Sequence, residues 1–195
     1  MSFIVGIDGP AGTGKGTITN LVAKDLKLNQ IDTGAMYRAF TLYMLDNKVE
    51  LDEIEKIKEL LEKVKIDLIQ EDDKETVFLN GKDVTKEIRS KSVTNFVSPV
   101  SSIIEVRIKM VELQRKMAEG KNVIMEGRDI TTYVFPNANV KIYLDANVEE
   151  RAKRRYKENI EKGMQTTFEE VLQDMKKRDY NDMHKPMGAL KVAED

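Results

Sequence analysis

A short apolar strand that breaks into a glycine-rich turn is the feature that most constrains the fold of this chain. Residues 3–9 read Phe-Ile-Val-Gly-Ile-Asp-Gly, and the chain continues Pro-Ala-Gly-Thr-Gly-Lys-Gly-Thr to Thr17. Because glycine tolerates positive φ and has no Cβ, successive backbone N–H groups of such a turn can point inward and surround phosphate oxygens. Lys15 adds a mobile positive charge. The sequence therefore predicts a phosphate-binding loop that connects a strand to a helix.

The loop fits the pattern G-x-x-x-x-G-K-[ST] from Gly9 to Lys15, except that Gly16 takes the hydroxyl position and Thr17 follows it. The apolar residues after the loop have helical spacing, so the N-terminus of the predicted helix would face the bound anion. The G-K-G-T ending resembles that of nucleoside monophosphate kinases. We predict that the phosphates of the donor nucleotide contact Gly9, Pro10, Ala11, Gly12, Thr13, Gly14, Lys15, Gly16 and Thr17, with the Thr17 hydroxyl on the side of the magnesium ion.

Size and charge exclude several classes of protein. The 195 residues suffice for one substantial core, and 32 basic against 34 acidic residues give no overall positive field for long nucleic acid. The chain has no cysteine and a single histidine, His184, which excludes thiolate chemistry and a histidine metal site. A signal peptide and an apolar run of about 20 residues are both missing from the sequence, so we expect a cytoplasmic protein that does not contact the membrane.

Periodicity predicts strands that alternate with helices, interrupted by a small antiparallel sheet. After the first strand, strands are predicted at residues 28–32, 65–69, 76–79, 82–84, 122–126 and 140–145, and helices at 33–46, 51–64, 90–119 (with a break near Ser98-Pro99), 147–162 and 167–182. Thr33, Asn147 and Thr167 are predicted helix caps. An acidic turn at residues 71–74 and the Asn80-Gly81 pair are predicted hairpin turns.

This alternation predicts an α/β fold of the P-loop NTPase type, with a parallel sheet, right-handed crossovers and helices on both faces. We expect a single domain over residues 1–195. Its parts are a core at residues 1–50 and 85–150, an acceptor-side insert at about 51–84, a lid at about 150–166 and a C-terminal helix at about 167–182.

Two arginine motifs predict a second anion site. A phosphoryl-transfer enzyme needs a donor loop, a metal, an acceptor pocket and positive charge around the migrating group. Arg38 follows the second strand by a few residues in Asp-Thr-Gly-Ala-Met-Tyr-Arg, where its guanidinium could bind an acceptor phosphate bidentately. Arg128 lies in Glu-Gly-Arg-Asp directly after an apolar strand, at the strand end where ligands of open α/β sheets bind.

Taken in order, the motifs resemble those of the bacterial cytidylate kinase family over essentially the whole chain. They are G-P-A-G-T-G-K-G-T, D-T-G-A-M-Y-R, F-L-N-G-K-D-V-T, E-G-R-D-I, V-F-P, V-K-I-Y-L-D-A, E-R-A-K-R-R and R-D-Y-N-D. The resemblance implies ATP-dependent phosphorylation of CMP and dCMP with Mg²⁺. Kinases for UMP or another small acceptor, and an ATP-binding regulatory module without turnover, are the alternatives. We expect a monomer.

The resemblance also implies roles for individual residues. Ser98, Arg115 and Asp129 would contact cytosine; Arg178 and Asp182 the sugar; Arg38, Arg128 and Lys185 the acceptor phosphate; and Thr33 and Gly34 also line the CMP site. Lys15, Arg128 and Arg178 would be the catalytic residues. A carboxylate can accept a hydrogen bond from the exocyclic amine of cytosine and would repel the carbonyl of uracil. Arg107 is a weaker candidate, and an exposed helix arginine is an equal alternative for it.

Three arginines at i, i+3 and i+4, namely Arg151, Arg154 and Arg155, would share one helical face near Gly163, a candidate hinge. A solvated charged face explains this spacing equally well. The resemblance favours a lid that closes over ATP.

The chain departs from the family pattern at Thr131, where glycine is usual, at Lys185, where arginine is usual, and at Ala189, where proline is usual. A lysine lacks the planar fork of arginine, so Lys185 predicts a weaker hold on the acceptor phosphate. The chain stops at Asp195, where family members continue into a further strand and helix, and we expect an exposed sheet edge there.

Overall fold

The computed structural model describes residues 2–71 and 74–195. Its strands are β1 Ile4–Asp8, β2 Asn29–Asp32, β3 Ile66–Glu71, β4 Lys74–Leu79, β5 Lys82–Asp83, β6 Val123–Gly127 and β7 Val140–Tyr143. Its α-helices are α1 Lys15–Leu26, α2 Thr33–Asp46, α3 Ile54–Lys63, α4 Lys91–Val100, α5 Ile104–Ala118, α6 Val148–Glu161 and α7 Phe168–Met183. Two short turns of other helical types span Glu87–Arg89 and Ile130–Val134.

The central sheet is parallel, with the strand order β2-β6-β1-β7 in the described chain. Its register brings the strand ends together: Asp8 lies opposite both Gly127 and Tyr143, and Asp32 lies opposite Glu126. Acidic residues and the turns that follow them therefore meet at one edge of the sheet, where ligands bind in open α/β folds.

Successive residues of the central strands pack on opposite faces of the sheet. Val123 and Met125 belong to the large core beneath α2 and α5, whereas Ile124 packs with Val5 and Ile7 beneath α1. This alternation follows from the two-residue period of a strand. The prediction of a parallel sheet with helices on both faces is confirmed.

The small antiparallel sheet, in the order β3-β4-β5, forms as predicted from the change of period. Asn80 and Gly81 have φ values of 50° and 81°, the backbone that a tight hairpin turn requires. Val77 and Leu79 of β4 join the large core rather than a core of their own. Asp72 and Asp73 of the predicted acidic turn lie outside the described residues.

Two of the three predicted helix caps are confirmed, and one is wrong. Asn147 and Thr167 cap α6 and α7, and Thr167 exchanges hydrogen bonds with Glu170 in a capping box. Thr33 is instead the first residue of α2, and the cap is Asp32, whose carboxylate accepts from the Ala35 N–H at 3.0 Å. The shift arises because β2 runs into α2 without a linker.

Two predicted helices differ in their bounds. The helix predicted over residues 51–64 spans only Ile54–Lys63, because residues 51–52 form a turn and Glu53 accepts from the Glu50 N–H at 3.0 Å. The long helical stretch breaks at residues 101–103, after Pro99 rather than at it. The hydroxyls of Ser101 and Ser102 donate to the Ser98 carbonyl there and so satisfy it.

The helices α6 and α7 form a hairpin with a small apolar cluster of its own around Ala152, Val171 and Met175. Gly163, the candidate hinge, follows α6 with φ 72°. Within the described part of the chain, every helix is too short or too polar to cross a bilayer.

Candidate active site

The phosphate loop leaves β1 at Gly9 and enters α1 at Lys15. A Cβ at Gly9 would lie 2.0 Å from the carbonyl oxygen of Leu144, so the close approach of these two backbones requires glycine. Gly14, with φ 95°, is the N-cap residue of α1. The N-terminus of α1 therefore points into the loop, as the strand, loop and helix pattern predicts.

Lys15 is buried within the loop. Its ammonium donates to the carbonyl oxygens of Gly9 and Pro10, each at 2.7 Å, and lies 3.3 Å from the Thr13 hydroxyl. Burial, with a smaller contribution from the positive charge of Arg128, lowers the pKa of Lys15 to about 7 against the opposing effect of Glu126. Phosphate oxygens at this position would favour the charged form of Lys15.

Two arginines of α6 bind the outer side of the same loop. Arg151 donates to the Ala11 carbonyl at 2.9 Å. It also forms a bidentate ion pair with Asp179, in which the two guanidinium nitrogens lie 2.6 and 3.3 Å from the two carboxylate oxygens. Arg154 donates to the Gly12 carbonyl at 2.7 Å. Arg155 instead pairs with Glu158 at 3.5 Å on the solvent side. The interpretation of a solvated face is therefore wrong for Arg151, which is 4% exposed.

A buried ion pair joins Arg107 of α5 to Asp129, in the turn that follows β6. Arg107 is 2% exposed, so the alternative of an exposed helix arginine is wrong. Its guanidinium also donates to the Tyr37 hydroxyl at 2.7 Å. Burial raises the pKa of Asp129 to about 6, although Arg107 opposes this rise.

A second charge network connects the Glu-Gly-Arg-Asp turn to α7. The Nε of Arg128 donates to Asp182 at 2.8 Å, and the Lys185 ammonium lies 2.9 Å from the other oxygen of Asp182. Lys185 also donates to the Ser101 hydroxyl at 2.9 Å. Burial would raise the pKa of Asp182, but Arg128, Lys185 and Arg178 outweigh it and hold the pKa far below its usual value.

Two buried polar atoms of this region lack hydrogen-bond partners in the described chain. Among the described residues, the buried Nε of Arg178 and the buried hydroxyl of Ser98 have no hydrogen-bond partner. Burial, with smaller contributions from the charges of Arg128 and Arg38, lowers the pKa of Arg178 to about 10 against the opposing charge of Asp182. Arg38 donates to the Ile88 carbonyl and to the Thr94 hydroxyl, at 3.2 and 2.9 Å. A group of like charges with unused donors is suited to bind an anion.

Other predicted site residues lie at the margin of this network. Arg115 donates to the carbonyls of Tyr133 and Val134, each at 3.0 Å, and does not join Arg107 at Asp129. Thr33 donates to the Glu126 carbonyl at 2.7 Å, and Gly34 follows it in the first turn of α2. Thr17 lies exposed in the first turn of α1.

Sequence reasoning missed two buried carboxylates at the sheet edge. Asp8 is 0% exposed and accepts from the backbone and side chain of the turn after Asp129. Glu126 lies beside Gly16, and burial together with the charge of Asp32 raises the pKa of Glu126 to about 7. Both residues are the polar ends of apolar strands, a signal that could have identified them.

A phosphate loop that faces a separate arginine-rich site across the edge of a parallel sheet defines the class of P-loop phosphotransferases. The family model for cytidylate kinase matches residues 5–195. The chain therefore belongs to the cytidylate kinase family, which confirms the resemblance of its motifs.

Relatives with this name match almost the whole chain. The chain is 49% identical to the cytidylate kinase of Caldicellulosiruptor saccharolyticus, covering 98% of the chain and 84% of the relative. It is 48% identical to that of Fusobacterium nucleatum (100% and 87% covered) and 46% identical to that of Bacillus subtilis (98% and 85% covered). A solved structure of an uncharacterized protein from Eubacterium ventriosum has the same fold, with a TM-score of 0.50 at 12% identity, covering 100% of the chain and 84% of that structure.

Proposed function

We propose that this protein transfers the terminal phosphoryl group of ATP to CMP and dCMP, giving ADP and CDP or dCDP. Membership of the cytidylate kinase family supports this activity. The observation that carries it is the pair of separate anion sites: the loop around Lys15, and the arginine cluster beside the buried Asp129 carboxylate. A nucleotide switch without turnover would need only the first of these sites.

The donor side would hold the β- and γ-phosphates of ATP on residues 9–17, with Lys15 as the mobile charge. Oxygen donors suit Mg²⁺, and the Thr17 hydroxyl is our candidate ligand. In the described chain, acidic and histidine side chains form no group of three that could hold a metal ion. A magnesium ion bound with ATP would take most of its ligands from the phosphates and from water. It would there neutralise part of the phosphate charge.

On the acceptor side, Arg38, Arg128 and Lys185 would bind the CMP phosphate, while Thr33 and Gly34 line the site. Arg178 and Asp182 would contact the sugar, and Ser98, Asp129 and Arg115 the cytosine. The contacts of the structure favour Arg107 over Arg115 for this last role, because Arg107 forms the ion pair with Asp129. The unpartnered Ser98 hydroxyl and Arg178 Nε support the binding of a ligand by these residues.

The reaction would proceed by in-line attack of a CMP phosphate oxygen on the γ-phosphorus of ATP, with ADP as the leaving group. The attacking oxygen is already ionised near neutral pH, so no general base is required. Repulsion between two anionic nucleotides is the main barrier, and Lys15, Arg128 and Arg178 would neutralise it.

Mobile segments and cellular context complete the proposed function. The segment of about residues 150–166 would move as a lid, with Arg154 exchanging the Gly12 carbonyl for a phosphate of ATP. The insert of about residues 51–84 would lie on the acceptor side. We also propose that the protein acts as a cytoplasmic monomer on small nucleotides and binds neither long nucleic acid nor membranes.

One coupled assay of ADP release tests the function across CMP, dCMP, UMP, AMP and GMP. We expect turnover with CMP and dCMP at least about 10-fold above the other acceptors, the discrimination that one good polar contact provides. Lys15→Ala is the control and should abolish turnover. ATP binding without CMP-dependent ADP release would refute the proposal.

A further inference from the structure

We propose that Thr131 is a positioning residue for recognition of the acceptor base: its hydroxyl, by binding Asp8, fixes the turn of Asp129 against the strand that starts the phosphate loop. This inference rests on the proposed function and deepens it. Thr131 stands where the motif resemblance expects glycine, so the hydroxyl contact belongs to this chain rather than to the family pattern.

The contact consists of three hydrogen bonds to one buried carboxylate. Asp8 accepts from the Ile130 N–H at 2.8 Å, from the Thr131 N–H at 2.7 Å and from the Thr131 hydroxyl at 2.6 Å. Across residues 2–71 and 74–195, Asp8 forms no ion pair within 4 Å. A buried carboxylate without a bonded cation depends on such donors, and the Thr131 hydroxyl is the single side-chain donor of the three.

The turn that Asp8 holds is the one that carries Asp129. The Asp129 carbonyl accepts from the N–H groups of Tyr133 and Val134 at 2.9 and 3.0 Å, which closes the turn over residues 129–134. The Asp129 side chain leaves the start of this turn toward Arg107. A rotation of the turn about Asp8 would therefore displace the Asp129 carboxylate, which we assign to recognition of the cytosine base.

The other side of Asp8 belongs to the donor site. Its carbonyl accepts from the Leu144 N–H at 2.7 Å, and the next residue, Gly9, begins the phosphate loop. Thr131 also packs its methyl group on β1, since a Cβ at Gly6 would lie 2.7 Å from it. Thr131 thus fixes the distance between the strand that sets the donor loop and the turn that carries Asp129.

Thr131→Val tests this role because it keeps the shape of the side chain and removes the hydroxyl. A hydrogen bond to a charged group is worth enough to change binding by about 10-fold or more. We expect the KM for CMP to rise by about 10-fold, the preference for CMP over UMP to fall by a similar factor, and the KM for ATP to change less than about 2-fold. Thr131→Ser, which restores a hydroxyl, should recover the wild-type values.

Thr41→Val is the matched control. Thr41 is buried in α2 and its hydroxyl donates to the Tyr37 carbonyl at 2.7 Å, so this change also removes one buried hydroxyl but no donor of the turn over residues 129–134, and it should leave the kinetics unchanged. Should Thr131→Val fail to fold, Thr131→Gly must give the same loss of CMP recognition, with normal ATP binding measured by calorimetry.

The inference is overturned by wild-type CMP kinetics in Thr131→Val, or by an equal rise of both KM values, which would indicate a structural role alone. Absence of CMP-dependent turnover in the wild type would instead refute the proposed function. The two failures are therefore distinguishable.

Discussion

The Lys185 ammonium lies 2.9 Å from Oδ1 of Asp182, and both side chains are only 4% exposed. The other oxygen of Asp182, Oδ2, lies 2.8 Å from Nε of Arg128. Asp182 therefore forms ion pairs with both Lys185 and Arg128, two cations that we assign to the acceptor phosphate. The effect of having lysine at position 185, where arginine is usual in the family pattern, can therefore be tested.

Lys185→Arg should raise kcat/KM for CMP. A guanidinium can keep the contact with Asp182 and still present a planar pair of donors to a phosphate, which an ammonium cannot do. We expect a gain of about 3- to 10-fold, within the net range of one ordinary hydrogen bond, from steady-state kinetics. Lys191→Arg, at an exposed position of the same segment, is the control. An unchanged or lower kcat/KM would show that lysine is not a weakness here.

Asp129→Asn should narrow the gap between CMP and UMP. The carboxylate would accept from the cytosine amine, whereas an amide can also donate to the uracil carbonyl. We expect the ratio of kcat/KM values to fall by about 10-fold or more, since the discrimination comes from one charged contact. Asp174→Asn, on the exposed side of α7, should keep the ratio. A ratio that stays at the wild-type value in Asp129→Asn would contradict the assignment of Asp129 to the base.

The local features of this fold could be predicted from the sequence, and the long-range pairs could not. The phosphate loop, the caps Asn147 and Thr167 and the Asn80-Gly81 hairpin depend on neighbouring residues, and the structure has all of them. Short-range rules fix these features because the partners lie within a few residues of each other.

The choice between Arg107 and Arg115 needed the structure. Both arginines lie on α5, and helical spacing alone does not say which one reaches a turn beyond the helix. Spacing likewise placed Arg151, Arg154 and Arg155 on one face but gave no sign that Arg151 reaches across 140 residues to Ala11. Asp8 contacts Thr131 over 123 residues, a pairing that only the parallel register creates.

Arg151→Lys should weaken both the fold and the binding of ATP. Lysine can keep one contact with Asp179 but loses the fork and the hydrogen bond to the Ala11 carbonyl. A loss of about 1–3 kcal/mol would lower the Tm by roughly 2–4 °C per kcal/mol for a chain of this size. Thermal unfolding and the KM for ATP are the measurements. Lys153→Arg, on the exposed side of α6, should change neither, and an unaltered Tm in Arg151→Lys would exclude a role for the fork.

Glu75→Gln should stabilise the protein at alkaline pH. Burial, with smaller contributions from the negative charges of Asp32 and Glu126, raises the pKa of Glu75 to about 8 against the opposing effects of a hydrogen bond with the Asp32 backbone and the charge of Arg89. One oxygen of this carboxyl is buried without a hydrogen-bond partner in the described chain. Near neutral pH, the Glu75 carboxyl of β4 is therefore in its neutral form in the folded protein.

The sign of the pH dependence follows from the two pKa values of Glu75. The ordinary value of 4.5 applies to the unfolded chain, and the value of about 8 applies to the folded protein. The unfolded state therefore releases its proton first, and the stability present below pH 4.5 is lost as the pH rises to about 8. The Tm difference between Glu75→Gln and the wild type should grow over this interval and then level off.

Thermal unfolding from about pH 5 to pH 9 measures this difference, and a gain of 1 kcal/mol corresponds to about 2–4 °C. The pKa of Glu126 is also raised, to about 7, so ionisation of Glu126 likewise lowers the stability of the folded protein as the pH rises. The Tm of Glu75→Gln must therefore be compared with that of the wild type at each pH. Glu59→Gln, at an exposed position of α3, should give a flat difference. A flat difference for Glu75→Gln as well would mean that the Glu75 carboxyl is solvated and that the insert does not depend on its proton.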